Sequence, residues 1–516
     1  MTISRISLTN FKGVAETTSI DLRPVTLLFG ANSAGKSSIF QALLYAREIL
    51  ERLNTDPDRT LLGGDAIDLG GFRNLVHNHD ADLPIILRFD LNLSAIDLVD
   101  YVESEDFSDS VESLSGDAKS AWVQLTITWG AIADEPVQAD YEIGINGAVA
   151  ARINTNPSGG GRHVVHCCIS HPWFGGEGES EEEWCEMESL RSDAQERSRR
   201  RFETLFDEMR YVLSMHNLGE YDEALRFTLI APGKYLLHHL KKLTYVGPIR
   251  IVPDRGYRPS RSPDESRWAN GLAAWDWIHD AKPRQLAELN DWLTRPDRLN
   301  VGYRVEVKHY KELDTDSMAM VALAQGVDFL DNYPMIQKEI DALPTKARVF
   351  LRQDKDFLEV MPQDVGIGIS QVIPVVVSTL IPGDGITVIE QPELHIHPAV
   401  QVAIGDLFVS QTHEDAALDK QFIIETHSEH LMLRIMRRLR ETAEGRAPAG
   451  LNVTPESVAV YYVEAGANGT QIKHLDLDQN GRFQQKWPRG FFEERENEFF
   501  GDRQDLSDEL GRLFGE

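Results

Sequence analysis

The chain is 516 residues long and carries 52 Lys and Arg against 82 Asp and Glu, a net charge of −30. At about 150 residues per domain such a length holds roughly two to four domains, and the negative balance argues against broad binding to phosphate backbones while leaving room for a local basic groove. Cys167, Cys168 and Cys185 form no framework of evenly spaced pairs, the N-terminal "MTISRISLTNF" lacks a charged segment followed by an apolar run, and no stretch approaches the ~20 apolar residues that span a bilayer, so the expectation is a soluble protein of the cytoplasm.

In chain order, "ISRISLTNF", "TTSIDL" and "VTLLF" between Ile3 and Phe29 read as short strands punctuated by Gly13 and Pro24, with a helix from Lys36 to about Leu53. Residues 85–170 alternate strand-like runs such as "PIILRFDLNL", "WVQLTITW" and "DYEIGIN" with acidic or glycine-rich turns, the pattern of an antiparallel sheet. A charged helical stretch is expected over roughly Glu179 to Met215, with "GGEGESEEEW" as a solvated loop or helix start, and further helix around Trp268 to Leu293. "GYRVEVKHY" and "MAMVALA" read as strands. The last third has an α/β rhythm, with strands "VFLRQD", "FLEVM", "ITVIE" and "FIIET" and helices after Ser370, Pro398 and Ser428.

The strongest chemical signal is "LLFGANSAGKSS", which fits G-x-x-x-x-G-K-[ST] with Gly30, Gly35, Lys36 and Ser37 in place. An apolar strand precedes it and Ile39, Ala42 and Leu43 open a helix after it, the context this loop requires. Glycines let backbone N–H groups converge on phosphate oxygens, so Asn32, Ser33, Ala34, Gly35, Lys36, Ser37 and Ser38 are the candidate nucleotide-binding residues. Lys36 can reach the β and γ phosphates, and Ser37 can ligate Mg²⁺.

"ITVIEQPELHIHP", Ile386 to Pro398, is a buried strand that ends on a carboxylate, Glu390, before Pro392 turns the chain away. Gln391 stands where many ATPases carry a second acid, and an amide cannot take a proton from the attacking water. Hydrolysis, binding without turnover, and neither are therefore all open on the residues alone. In "DVGIGISQVIPVV", Asp364 to Val376, Gly366 and Gly368 permit close backbone approach and Ser370 is a natural N-cap whose helix end can face an anion or simply begin a helix. "FIIETHSEHL", Phe422 to Leu431, puts His427 just before a helix start.

The order of phosphate loop, signature-like loop, acidic strand and histidine resembles the ABC-type ATPases of the RecF, SMC and OLD group. It is closer to a subgroup with E-Q-P-E-L-H-x-H-P and a C-terminal W-P-x-G-F-F, here "WPRGFF", Trp487 to Phe492, and the ATPase subunit of the Septu anti-phage system looks like a relative. The resemblance covers roughly residues 1–95 and 345–435. It implies an α/β fold with a split nucleotide-binding domain: an N-terminal lobe at 1–95, a β-rich and helical insertion at 96–345, a C-terminal lobe at 346–450 and an extension at 451–516. It also implies that Glu390 is the Mg²⁺-side acid, that His427 is the switch sensing the γ-phosphate, and that Gly368, Ser370 and Gln371 match the signature, although "GIGISQ" departs from L-S-G-G-Q. In this class the signature of one subunit completes the nucleotide site of another, which implies a homodimer around ATP and Mg²⁺, with a separately encoded effector, such as a nuclease, as partner. A nucleic-acid-binding repair ATPase like RecF is the rival, and the charge of −30 weighs against it. Slow turnover is expected, with Gln391 orienting water by hydrogen bonds, and Glu393 either the base or an acid at a helix start or interface.

Other clusters weigh less. "HVVHCCISH" with Cys185 has zinc-binding residue types, but adjacent cysteines on a strand point to opposite faces and C-x₂-C spacing is missing. His77 and His79 read as loop residues where a glutamine loop is not recognisable. Glu464, Asp476 and Asp478 resemble the acids of a Toprim nuclease, yet their separation suits a hairpin and a turn. Arg250, Arg255 and Arg258 can meet phosphate, a partner, or the protein's own acids.

Overall fold

The computed structural model describes residues 2–102, 109–132, 134–156, 163–176, 182–189, 202–260, 262, 264–325, 329–411 and 420–488. Its first half contains β1 (Ile3–Thr9), β2 (Thr18–Asp21), β3 (Val25–Gly30), β4 (Ile85–Asn92), β5 (Ser120–Gly130), β6 (Glu135–Ile145), β7 (Ala148–Thr155), β8 (His163–Cys168), β9 (Trp184–Glu186), β10 (Glu188–Ser189) and β11 (His216–Asn217). Then follow β12 (Thr244–Val246), β13 (Tyr303–Tyr310), β14 (Lys346–Gln353), β15 (Glu359–Val360), β16 (Gly385–Glu390), β17 (Lys420–Glu425), β18 (Val458–Gly466) and β19 (Gly469–His474).

Two sheets dominate this mixed α/β fold. One is an antiparallel sheet in the order β2-β1-β4-β5-β6-β7-β8-β9, and the other has the order β12-β16-β17-β3-β18-β19, parallel except for the terminal hairpin β18–β19. The parallel strands are apolar on both faces because both are covered. Leu28 on β3, Ile386 and Val388 on β16, Ile423 on β17 and Tyr461 on β18 pack into one core with the antiparallel sheet and the helix Ser38–Arg52. Their neighbours Leu27, Phe29, Ile389, Phe422, Ile424 and Val460 point the other way, onto the helices Leu272–Asp280, Pro283–Thr294, Ile367–Leu380, Pro398–Ser410 and Glu429–Ala443. The period-2 alternation of each strand thus sandwiches one sheet between two cores. No described helix is long and apolar enough to cross a membrane.

Three expectations are corrected. "MAMVALA" is not a strand: Met318–Gln325 is helical, and its Ala and Met residues are strong helix formers that an apolar run alone does not separate from a strand. The charged stretch from Glu179 is not one helix, since Trp184–Glu186 and Glu188–Ser189 are strands and the helix is only Leu205–Ser214, started by a Thr204–Asp207 capping box; residues 190–201 lie outside the described ones. Ser370 does not cap a helix: Ile367–Leu380 begins three residues before it, after N-cap Gly366, and Ser370 is buried inside it. Of "WPRGFF", Trp487 and Pro488 are described and the remainder lies outside; Trp487 packs edge-on against Phe29, Phe483 and Tyr462.

Candidate nucleotide site

The parallel strands β3, β16 and β17 lie side by side and end together at Gly30, Glu390 and Glu425, the edge of an open α/β sheet where ligands bind. The phosphate loop leaves β3 through Gly30 at φ 141° and turns through Ser33 at φ 62° and Gly35 at φ 99°. At Gly30 a Cβ would lie 2.0 Å from the Val463 carbonyl oxygen, so only glycine fits. Asn32 and Ser33 are exposed, whereas Ala34, Lys36 and Ser38 are buried. The helix Ser38–Arg52 starts at Ser37 with no side-chain cap and no acid in its first turn, leaving its N-terminal N–H groups and partial positive charge for an anion.

The Lys36 ammonium donates to the carbonyls of Gly30 (3.0 Å) and Ala31 (2.9 Å), with Glu425 and the His427 Nε2 each at 3.5 Å. The Ser37 hydroxyl donates to Glu425 Oε2 at 3.0 Å. Glu425, which the sequence reading passed over, is therefore the carboxylate in contact with the two loop residues expected to meet phosphate and metal. Its signal was present: "FIIE" is an apolar strand ending on an acid, as "ITVIE" is. Glu390 stands beside it in register on β16 and accepts a 2.6 Å hydrogen bond from the Tyr245 hydroxyl. Burial pushes the Glu390 carboxyl up to about 7, with Glu425 adding to the rise and Tyr245 and Lys36 opposing it. The Ser37 hydroxyl and the two carboxylates are hard oxygen donors of the kind Mg²⁺ takes, and the loop and Lys36 suit a polyphosphate.

Beyond Glu390 the backbone turns sharply. Gln391 has φ 43° and donates its N–H to the Glu425 carbonyl at 2.7 Å, a left-handed conformation that a non-glycine residue holds only when its surroundings impose it. Both Glu393 oxygens are engaged: one accepts from the His427 N–H (2.6 Å) and the other from the Thr426 hydroxyl (2.8 Å). Both oxygens thus hold the Thr426–His427 segment in place, and burial raises this carboxyl. Ser428 caps Glu429–Ala443 through Leu431 N–H. His427 is lowered by burial and by Lys36, which favours its neutral form.

Arg250 connects the acidic strand to the signature-like helix. Buried, its guanidinium donates to the carbonyls of Glu390 (2.6 Å), Gln391 (3.2 Å) and Gln371 (3.4 Å), while the Gln371 side chain bonds both backbone groups of Arg250. Burial lowers this arginine to about 10. Ser370 donates to the Pro362 carbonyl at 2.7 Å, so neither Ser370 nor Gln371 presents its side chain at the helix end. Gly368 lies against the loop after Glu393, where a Cβ would come within 2.5 Å of the His395 carbonyl. The uncapped start of this helix carries exposed Ile367.

The C-terminal hairpin braces the phosphate loop from behind. The Thr470 hydroxyl donates to the Ala34 carbonyl (3.1 Å), its N–H donates to the Gly13 carbonyl (2.6 Å), and Gly35 has no room for a Cβ against it. The other clusters sit elsewhere. Glu464 lies within β18 of that hairpin, opposite Gln471, Asp476 follows β19, and Asp478 closes a turn by accepting from Asn480 and Arg482 N–H. His163 bonds Thr155, His171 caps the turn Pro172–Phe174, and Cys167 faces Cys185 across β8 and β9. His77 and His79 bond the carbonyls of Lys12 and Arg73, and Arg255 pairs with Asp364.

A phosphate loop at the carboxyl end of a parallel sheet, with two strand-end acids beside its lysine and serine, defines a P-loop ATPase domain. Family models agree: residues 1–112 match "AAA ATPase domain" and residues 246–433 match "AAA domain, putative AbiEii toxin, Type IV TA system", so AAA-type ATPase models cover two separate stretches of the chain. Residues 453–501 match "Protein of unknown function (DUF3696)". No curated protein matches the chain. Similar solved structures include an SMC head bound to the C-winged helix domain of ScpA, 11% identical with TM-score 0.40, covering 92% of this chain and 98% of that one. Another is the SMC head domain from Thermotoga maritima, 10% identical with TM-score 0.37, covering 92% of this chain and 100% of that one.

Proposed function

We propose that the chain is an ABC-type ATPase that binds ATP with Mg²⁺, hydrolyses it slowly, and closes head to head into a homodimer when ATP is bound. The observation that carries the reading is the convergence of Lys36, Ser37, Glu425, Glu390 and His427 at the ends of three adjacent strands. Mg²⁺, when bound, neutralises charge on the β and γ phosphates; Ser37, Glu425 and Glu390 are the residues to hold it. Lys36 exchanges its contacts to the Gly30 and Ala31 carbonyls for phosphate oxygens, and His427 senses the change from 3.5 Å away. Turnover is slow because Glu393 is occupied by Thr426 and His427, and Gln391 orients water without accepting its proton.

The uncapped helix start at Gly366, with Ile367 exposed, is the surface offered to the second copy's phosphate. Arg250 passes nucleotide state from Glu390 to that helix and to β12, and so to residues 96–345, which act on a separately encoded effector protein. A nuclease of an anti-phage system is the effector that the sequence resemblance favours. Sedimentation with and without ATP·Mg²⁺ tests the proposal. The wild type should dimerise with ATP, and Lys36→Ala should bind no ATP and stay monomeric; equal ATP affinity in the variant refutes the site. Salt-dependent binding to duplex DNA without ATP-driven dimerisation would point to the repair-factor class instead.

A further inference from the structure

A second convergence of ligand-type side chains lies at the opposite end of β16 from Glu390. The helix Asp222–Lys241 ends with His238 and His239 in its last turn, and Asp384 stands immediately before β16. One ligand atom from each of these three residues lies within 4.8 Å of the other two, the only such group of His, Cys, Asp or Glu among the described residues. The imidazole rings lie 5.3 Å apart, nearly perpendicular, and are held by neighbours: Tyr101 stands edge-on to His238 at 5.2 Å and Tyr235 to His239 at 4.8 Å. His239 and its partners are thus positioned by packing rather than free on the surface, and His238 and Asp384 are half-buried, within reach of solvent.

We infer that His238, His239 and Asp384 form a binding site for a borderline divalent transition-metal ion of the Zn²⁺ type, tying the end of the helix Asp222–Lys241 to the start of β16. Two imidazoles and one carboxylate are a donor set that Zn²⁺ accepts, with water completing the tetrahedron. The C-terminal end of that helix, which carries partial negative charge, also favours a cation here.

The opposing group is Lys242, whose ammonium reaches both Asp384 oxygens, at 2.9 and 2.7 Å. That pair is 34% and 40% exposed, the range in which an ion pair is weak and a flexible lysine yields readily. Lys241 is drawn off to Glu51 at 3.1 Å. The site is therefore one in which a metal ion displaces a lysine. Neither the phosphate loop nor its carboxylates take part, so the inference stands or falls independently of the proposed ATPase activity.

The test is calorimetric titration of Zn²⁺ into the full chain after chelator stripping, with Co²⁺ absorption in the visible as an independent probe of coordination. One ion per chain is expected, with a rise in melting temperature. Loss of one metal-orienting neighbour already costs roughly 10- to 100-fold, so His238→Ala and Asp384→Asn should each weaken binding at least about tenfold. Lys242→Met, by removing the competitor, should tighten binding by about two- to fivefold, a gain that no misfolded variant can mimic. Lys36→Ala should leave the titration unchanged. Absence of binding in both wild type and Lys242→Met overturns the assignment, as does one-to-one binding that persists in His238→Ala and Asp384→Asn.

Discussion

Tyr245→Phe isolates the electrostatics of Glu390. The substitution removes only the hydroxyl that donates to Glu390 Oε1 at 2.6 Å; the ring remains, stacked on Phe40 at 5.3 Å. Burial holds the Glu390 carboxyl at about 7, and the tyrosine bond keeps it from rising further. A hydrogen bond to a charged acceptor is worth about 1.5–3 kcal/mol, which at 1.36 kcal/mol per pH unit raises that carboxyl by about one to two pH units when lost. At about pH 7.5 the ionised fraction then falls from about three quarters to between a quarter and a thirtieth, so a step that needs the carboxylate slows roughly three- to twenty-five-fold. The sign is definite: the acid limb of the rate profile moves to higher pH, and the variant recovers above about pH 9. Bound Mg²⁺ pulls the limb down in both proteins, so the displacement between the two profiles is the quantity to read. Single-turnover hydrolysis of saturating ATP from pH 6 to 9.5 measures it. A profile superimposable on the wild type, or a loss that high pH does not restore, would show that ionisation of Glu390 does not govern the step.

Gln391→Glu should raise single-turnover hydrolysis by about 10²- to 10⁴-fold if no base serves in the wild type, whereas Glu393→Gln should chiefly destabilise the Thr426–His427 segment; a hydrolysis-dead but fully stable Glu393→Gln protein contradicts that assignment. Gly368→Ala places a methyl group 2.5 Å from the His395 carbonyl and should abolish ATP-dependent dimerisation while leaving monomer ATP affinity within about twofold, as equilibrium dialysis and sedimentation would report. Thr470→Val keeps the shape behind Gly35 but deletes the donor to Ala34, so ATP should bind roughly two- to tenfold more weakly; unchanged affinity would mean that the hairpin does not support the loop.

What the sequence made legible was local. The phosphate loop needs only its glycines, Lys36 and Ser37 at fixed spacing, and "VTLLF", "ITVIE" and "FIIE" announce buried parallel strands by their uninterrupted apolar character. Ser370 misled because a serine near glycines looks like a cap, while the real helix start at Gly366 has no capping side chain to recognise. "MAMVALA" misled because a short apolar run is ambiguous between helix and strand. Tyr245 and Thr470 left no local trace, and Arg250 stood out only as one of three arginines, with nothing nearby to name its partners. Their partners Glu390, Gln371 and Ala34 are 145, 121 and 436 residues away, and only the folded chain brings them together.

The position of β3 between β17 and β18 also bears on how the chain is made. Both strands that pair with β3 begin near residues 420 and 458, long after Gly30 has been synthesised. At roughly 5–20 residues per second, the apolar strand "VTLLF" waits about 20–80 s with both edges open. Open apolar edges of this kind recruit other chains, so a nascent molecule is most exposed to aggregation through the very strand that later carries its phosphate loop. The antiparallel hairpin of β1 and β2 and its partner β4 can assemble early because they lie within the first 92 residues, whereas the nucleotide pocket is among the last parts to form. Nucleotide binding by nascent chains stalled at different lengths should therefore switch on only after the β18–β19 hairpin has left the ribosome.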